Sequence, residues 1–199
     1  MLSYKELRIS AHANLKGKYF KYFLLMLVFT VITDITAPSE DNFNFLLYVA
    51  NFIISIILST LIYSVDLNIA KGKNTFLPSI DASFFKTCFK LIILSLIATF
   101  AIIIGTILFI IPGIIVGIML SQSYYILIED NTKSVFTCIK ESCSIINGNK
   151  YNYFMLQLYF LLFSLLGIIT FGIGFFWILP IIQVSNAKFY LCLKEENQR

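Results

Sequence analysis

Apolar residues in this chain fall in six long runs, separated by short polar or glycine-containing stretches. The runs cover about 22–37, 43–65, 88–110, 113–128, 151–169 and 175–193. A helix of about 20 residues crosses the roughly 30 Å hydrocarbon core of a bilayer. Run 43–65 offers 23 residues without a charge. The pattern predicts an all-α polytopic membrane helical bundle of about six transmembrane helices, forming a single integral membrane domain over 1–199. Runs three and four are joined only by Ile111-Pro112-Gly113, so they must form an antiparallel hairpin. Pro38-Ser39-Glu40-Asp41-Asn42 turns the first pair, and Thr170-Phe171-Gly172-Ile173-Gly174 turns the last.

Between the runs lie amphipathic segments, read as interfacial helices. In 3–16, Tyr4, Leu7, Ala11 and Leu15 share one face, while Lys5, Arg8, His12 and Lys16 lie away from it. Ser3 and Glu6 have the spacing of a capping box, and Gly17 suits a left-handed stop. Lys18-Tyr19-Phe20-Lys21 then leads directly into the first span, which places this helix on the membrane surface. Residues 134–147 form a second such helix, ended by Gly148, and 75–87 a shorter surface segment with Pro78, Asp81, Phe84, Phe85 and Lys86. Asp66 to Lys73 reads as the polar end of the second span.

Composition supports this. Of 199 residues, 58% are hydrophobic and 13% charged, against about 25% charged in a soluble domain; the mean hydropathy is +0.84. The net charge of +4 hides an asymmetry, because six spans place all 15 basic residues on one side. The positive-inside rule then expects a bacterial plasma-membrane protein with both termini cytoplasmic. The basic rim can attract anionic lipids, at about 1 kcal/mol per nearby residue, although setting orientation is reason enough for it. The scattered lysines do not suit nucleic acid. No cleavable signal peptide is expected. Cys88, Cys138, Cys143 and Cys192 lack metal-ligand spacing and read as free thiols on the reducing side.

A threefold echo runs through the chain: a surface segment followed by two spans. Residues 15–23 resemble 146–154, 131 positions apart, close to two periods of about 65. The middle unit, around 85–90, fits the spacing without a glycine. Parallel repeats of this kind occur in transporters and in purely structural bundles.

Reactive chemistry is sparse. His12 reads as a solvated residue, and no nucleotide, hydrolase or metalloprotease motif occurs. The expectation is a protein that is not an enzyme, with no cofactor and no metal. Glu129-Asp130 beside the 134–147 helix suggests capping by Asp130 or Asn131 rather than ion binding. Asn51, Gln122 and Gln183 lie about 12–14 Å from a far-side turn at 1.5 Å per residue, and Gln157 about 10 Å from the basic side. These amides converge in depth, as interhelical hydrogen bonds or as a polar path. Asp34 is the one acid within a span, near its far end. Gly113, Gly117 and Ser121 form a small-residue stripe for close helix packing, with Gly117 at its centre. Pro180 can bend the last span. Tyr19, Phe20, Tyr22, Tyr151 and Tyr153 read as interfacial anchors.

From Phe109 onward the chain carries Ile111-Pro112-Gly113, Tyr124-Tyr125, Glu129-Asp130-Asn131, Glu141-Ser142, Asn147-Gly148-Asn149-Lys150, Gly172-Ile173-Gly174, Trp177, Pro180 and Phe189-Tyr190. This resembles the uncharacterised bacterial integral-membrane family catalogued as domain of unknown function 975. That resemblance implies a distant similarity to the membrane domain of some glycerophosphoryl diester phosphodiesterases, and brings no catalytic residues. The chain has Ile107-Leu108-Phe109 where a tryptophan is expected, and Pro180-Ile181 in place of proline-tyrosine. Three roles follow: a membrane scaffold or accessory protein with a membrane-protein partner, which the sequence favours; a small transporter or permease; and a lipid-binding membrane module.

Overall fold

The structure, a computed structural model, describes residues 4–37, 44–73, 75–170, 172 and 174–197. These form α1 (Tyr4–Leu15), α2 (Tyr19–Ile35), α3 (Phe45–Ala70), α4 (Ala82–Leu108), α5 (Ile110–Leu120), α6 (Ser123–Glu129), α7 (Val135–Ile146), α8 (Lys150–Ile169) and α9 (Phe175–Asn197). No strand occurs among the described residues. The fold is an all-α bundle. Among the described residues, five helical stretches are long and apolar enough to cross a membrane: α3, α4, α5 with α6, α8 and α9. The expected first span, α2, has 17 residues, about 25 Å at 1.5 Å per residue. That is the short end of the range of about 17–25 residues that crosses a hydrocarbon core.

α2 and α3 nevertheless run antiparallel along one another. Tyr22 meets Asp66 near the start of α2. At the other end, Asn51 Nδ2 donates to the Thr33 carbonyl at 3.0 Å and to Thr36 Oγ1 at 2.7 Å. The acidic turn 38–42 lies outside the described residues.

The hairpin of α4 and α5 turns earlier than its proline suggests. Phe109 is extended, at φ −163° and ψ 151°, and caps both helices. Pro112 sits inside the first turn of α5, where a missing N–H is tolerated because that donor has no helical partner. The chain reverses through one residue because the two backbones touch. A Cβ on Gly113 would come within 2.9 Å of the Thr106 nitrogen, and one on Gly105 within 3.0 Å of the Gly113 Cα. Gly117 is different: its nearest neighbour would be Ile102 Cδ1 at an ordinary 3.9 Å. The close approach belongs to Gly105 and Gly113, not to Gly117.

The expected surface segment at 75–87 is not a separate helix. Residues 75–81 form a loop. Asp81 then caps α4, its side chain accepting from the Phe84 nitrogen at 3.1 Å. Phe84 to Lys86 are the opening turns of that 27-residue helix.

α1 and α7 have the expected apolar faces, but protein covers them. Leu7, Ala11 and Leu15 are at most 1% exposed, packed on α9 and α3. Cys138, Ser142 and Ile146 are wholly buried, packed chiefly on α6 and α5. Both helices sit on the bundle end that carries most of the lysines, here called the basic end. The interaction is specific: Asn14 Nδ2 donates to the Ile69 carbonyl at 2.8 Å and the Ala70 carbonyl at 3.2 Å. Those are terminal carbonyls of α3, which lack a full i to i+4 partner in the helix, although Ile69 also accepts from the Gly72 nitrogen at 3.0 Å. Arg8 lies over the Phe163 ring, 5.3 Å from its centroid. Ser3 and the Tyr4 side chain, assigned to the cap and face of α1, lie outside the described part.

The outer two units of the sequence echo match in register. Adding 131 to the bounds of α1 gives those of α7, and adding it to Tyr19 gives the first residue of α8. Both joints turn through a glycine in the left-handed region, Gly17 at φ +80° and Gly148 at φ +85°. A side chain there would be strained. The middle unit has a loop in place of the surface helix.

Packing is uneven along the bundle. Tyr22 is the buried residue of α2, burial in α3 begins at Ile56, and burial in α4 is concentrated between Phe84 and Ala98. Beyond this zone Leu46, Phe100, Ile104, Ile107, Leu162 and Ile169 are exposed. The basic half is locked and the far half is open. In hydrocarbon, exposed apolar side chains cost nothing, so packing and hydrogen bonds decide where helices touch.

Candidate functional site

The polar chemistry of the bundle gathers inside its locked half. Asp66 is fully buried on α3. The Tyr22 hydroxyl donates to its Oδ1 at 2.5 Å, and its Oδ2 is buried with no hydrogen-bond partner. Tyr63, one turn earlier, stacks on Tyr124 at 5.5 Å and meets Tyr125 edge-on at 5.3 Å. Tyr125 stacks in turn on Tyr190 at 5.7 Å. Rings from α2, α3 and α6 thus wall the carboxyl, and the α9 ring of Tyr190 backs Tyr125, with apolar bodies packed and hydroxyls at their tips.

Sequence reasoning missed Asp66 by ending the span there. The available signal was the continuing face Ile62, Val65 and Ile69, all buried. It carries α3 on to Ala70, and Gly72, at φ +70°, follows as the stop. Tyr22 and Tyr153 were read as interfacial anchors and are core residues, 0% and 9% exposed. Phe20 and Tyr151, at 70% and 67%, do lie on the surface. Tyr19 is partly buried and meets His12 Nδ1 at 2.5 Å.

A second group forms where the fourth span breaks. α5 ends at Leu120 and α6 starts at Ser123, with Ser121 and Gln122 in a turn between them. The Met119 carbonyl, in the last turn of α5, accepts from Ser142 Oγ of α7 at 2.6 Å. Gln122 is fully buried; its Nε2 donates to Ser121 Oγ at 2.7 Å, and its Oε1 has no partner. The Tyr153 hydroxyl lies beside the side chains of Ser121, Gln122 and Gln157. Gln157 Nε2 donates onward to Asn186 Oδ1 at 2.8 Å. Ser123 and Ser185 add two more buried hydroxyls without partners.

Of the four amides read as converging, the structure brings Gln122 and Gln157 together beside Tyr153. Asn51 is spent on α2, and Gln183 is half-buried on α9 outside this network. Ser121 bonds the Ile118 carbonyl at 2.7 Å as well as Gln122. Pro180 is buried within α9, which continues through it.

At the basic end Glu129 ties three elements. It accepts from Lys71 Nζ at 2.6 Å, Lys194 Nζ at 2.7 Å and the Tyr190 hydroxyl at 2.5 Å. Asp130 and Asn131 do not cap α7. Ser134 does, its Oγ accepting from the Thr137 nitrogen at 3.2 Å. Ser134 is the residue immediately before the helix, whereas Asp130 closes its own turn. Its Oδ1 accepts from the Thr132 hydroxyl at 2.6 Å and nitrogen at 3.1 Å, which holds the carboxyl below its ordinary range. Asn131 bonds Ser83, and Lys90 Nζ donates to the Lys133 carbonyl at 2.8 Å. Lys133 pairs with Glu141 at 2.6 Å, which raises the lysine above its ordinary value.

Two openings flank these groups. A polar cleft of about 570 Å³ runs past Ser64, Asn68, Lys71, Lys73 and Glu129. An apolar groove of about 570 Å³ lies between α2 and α9, lined by Phe23, Met26, Leu27, Phe175 and Trp177. The four cysteines are free thiols, and no metal-sized cluster of His, Cys, Asp and Glu occurs among the described residues.

A family model described as "Protein of unknown function (DUF975)" matches residues 90–197, more than half of the chain. The chain belongs to that family. The DUF975 match takes in the interrupted span, Gln122, Tyr153, Gln157 and Glu129; Tyr22 and Asp66 precede it. No curated protein and no solved structure matches the chain, so neither comparison ties this family member to a glycerophosphoryl diester phosphodiesterase.

Proposed function

We propose that this protein is a non-enzymatic membrane scaffold, which uses its locked half as a rigid base and its open half as a docking surface. The uneven packing carries this reading. Helices α1, α3, α6, α7 and α9 are tied at the basic end by buried side chains and by Glu129. The far halves of α4 and α8 present exposed apolar faces. In this reading the chain is a multi-pass protein of the bacterial plasma membrane. Its basic end and both termini face the cytoplasm, where the lysines also meet anionic lipid headgroups.

The test is photo-crosslinking in native membranes. A photoreactive residue replaces Ile104 or Leu162, each 59% exposed, with buried Leu156 as the control. A discrete protein adduct from the first two positions alone is expected. Lipid adducts only would reject the scaffold in favour of a lipid-binding module.

A transporter is the second reading, favoured by the break between α5 and α6 beside Gln122. Interrupted membrane helices form substrate sites in many transporters. Solute uptake unchanged by alanine at both Gln122 and Gln183 would remove it.

A further inference from the structure

Asp66 is the one fully buried acid among the described residues, and the bundle provides no charge to balance it. The cations on the neighbouring elements are engaged elsewhere or exposed, as Lys5, Lys16 and Lys21 are. On α1, Arg8 lies over Phe163 and His12 meets Tyr19. Lys18, before α2, donates to the Lys73 carbonyl, and exposed Lys21 lies on α2. Lys71 at the end of α3 and Lys194 on α9 both go to Glu129. Lys188 on α9 goes to Ser10, and Lys90 on α4 to the Asn131 and Lys133 carbonyls. The ionisable groups that do face Asp66 are Tyr22 from α2, Tyr63 from α3 and Tyr125 from α6.

A bare carboxylate in such a place costs far more than one tyrosine hydrogen bond returns. A carboxylic acid does not. Its carbonyl oxygen accepts from Tyr22, as Oδ1 does. Its second oxygen carries the hydrogen, and Oδ2 is the oxygen that accepts from nothing. A need for packing does not explain the acid either. Tyr153, which stands 131 residues after Tyr22 in the matching unit, places its hydroxyl beside neutral side chains, those of Ser121, Gln122 and Gln157. A carboxyl in place of an amide adds one capability, the binding and release of a proton.

We propose that Asp66 is a proton-binding site within the bundle, occupied at neutral pH, with the proton on Oδ2 and Tyr22 donating to Oδ1. The site is independent of the scaffold reading and stands whether or not the open half docks a partner.

Infrared difference spectroscopy on the full chain in lipid vesicles tests it. The expected result is a protonated-carboxyl C=O band at pH 7 that is lost in Asp66→Asn. Asp66→Asn keeps the shape and neutrality of the acid, so its thermal midpoint should match that of the wild type. Tyr22→Phe removes the donor but leaves the acid, so the band should persist at a shifted frequency. This second variant decides the matter if Asp66→Asn does not fold. A band absent at pH 7, or unmoved by Tyr22→Phe, overturns the proposal. The thermal midpoint is also measured in sodium, potassium and choline chlorides at one ionic strength. Equal values are expected; a sodium- or potassium-specific rise that Asp66→Asn abolishes would show that an alkali cation occupies the site and would overturn the proton.

Discussion

Tyr22 and Tyr153 are the same residue of one structural unit used twice. Each follows a left-handed glycine by five positions, and each donates its backbone N–H to the residue just after that glycine, at 2.9 Å. Each also carries a hydroxyl into the locked half of the bundle. One reaches a carboxyl and the other a pair of amides.

Removing either hydroxyl should destabilise the protein, and not equally. Tyr153→Phe leaves Gln122 bonded to Ser121 and Gln157 bonded to Asn186, so the loss should be at most about 1 kcal/mol. Tyr22→Phe deprives a buried carboxyl of its donor and should cost about 1–3 kcal/mol. Denaturant unfolding in mixed micelles gives both values; a larger loss for Tyr153→Phe would contradict the ordering.

The small-residue stripe of α5 should respond at one end. Gly113→Ala drives a methyl into the Thr106 backbone and should cost about 1–3 kcal/mol as an overpacking strain. Gly117→Ala meets only a side-chain tip at contact distance and should be neutral or slightly stabilising through helix propensity. Thermal midpoints of the two variants in one detergent decide this, and equal effects would refute the assignment of the close approach.

Glu129→Gln should loosen the basic end while leaving the helices formed. It removes the negative partner of two lysines whose side chains are 28% and 36% exposed. Partial solvation limits the loss to about 1–2 kcal/mol. The wild type should lose stability with added salt, and the variant should not. Parallel salt dependence in the two would show that the tie contributes nothing.

Lys133 and Glu141 make a pH-dependent contribution at the start of α7. The lysine is raised above 10.5 by its hydrogen bond to Glu141. Protonation is therefore favoured in the folded state. The contribution is complete below 10.5, and it fades as the pH climbs through the raised value. Both side chains are about a third exposed, so screening keeps the effect below about 1 kcal/mol. Thermal melts from neutral to strongly alkaline pH should fall less steeply for Lys133→Met than for the wild type. Identical slopes would rule the pair out as a source of pH dependence.

Much of this architecture was written into local patterns. Leu7, Ala11 and Leu15 announce the buried face of α1, and Gly17 and Gly148 announce their turns, because a left-handed residue is a local requirement. What covers a face is not local. An amphipathic stripe suits lipid and protein equally, so α1 and α7 read as membrane-lying helices until α9 and α6 are seen against them. Asp66 was hidden for a related reason. A charge after a run of apolar residues looks like the membrane boundary, and only the tyrosines of α2 and α6 turn it into an interior position. The hairpin turn lies at Phe109, before its proline, because the contact between Gly105 and Gly113 sets where the backbone must reverse.

The seating of α1 on α9 sets an order of events during synthesis. Leu15 leaves the ribosome 160 residues before Phe175, a delay of roughly 8–32 s at 5–20 residues per second. Throughout that interval the apolar face of α1 has no α9 to cover it, and chaperones or the membrane interface must hold it meanwhile. Of the described helices, α1 thus emerges before the others and is among the last to be seated, and closure of the basic end reports that the hairpin of α8 and α9 is in place.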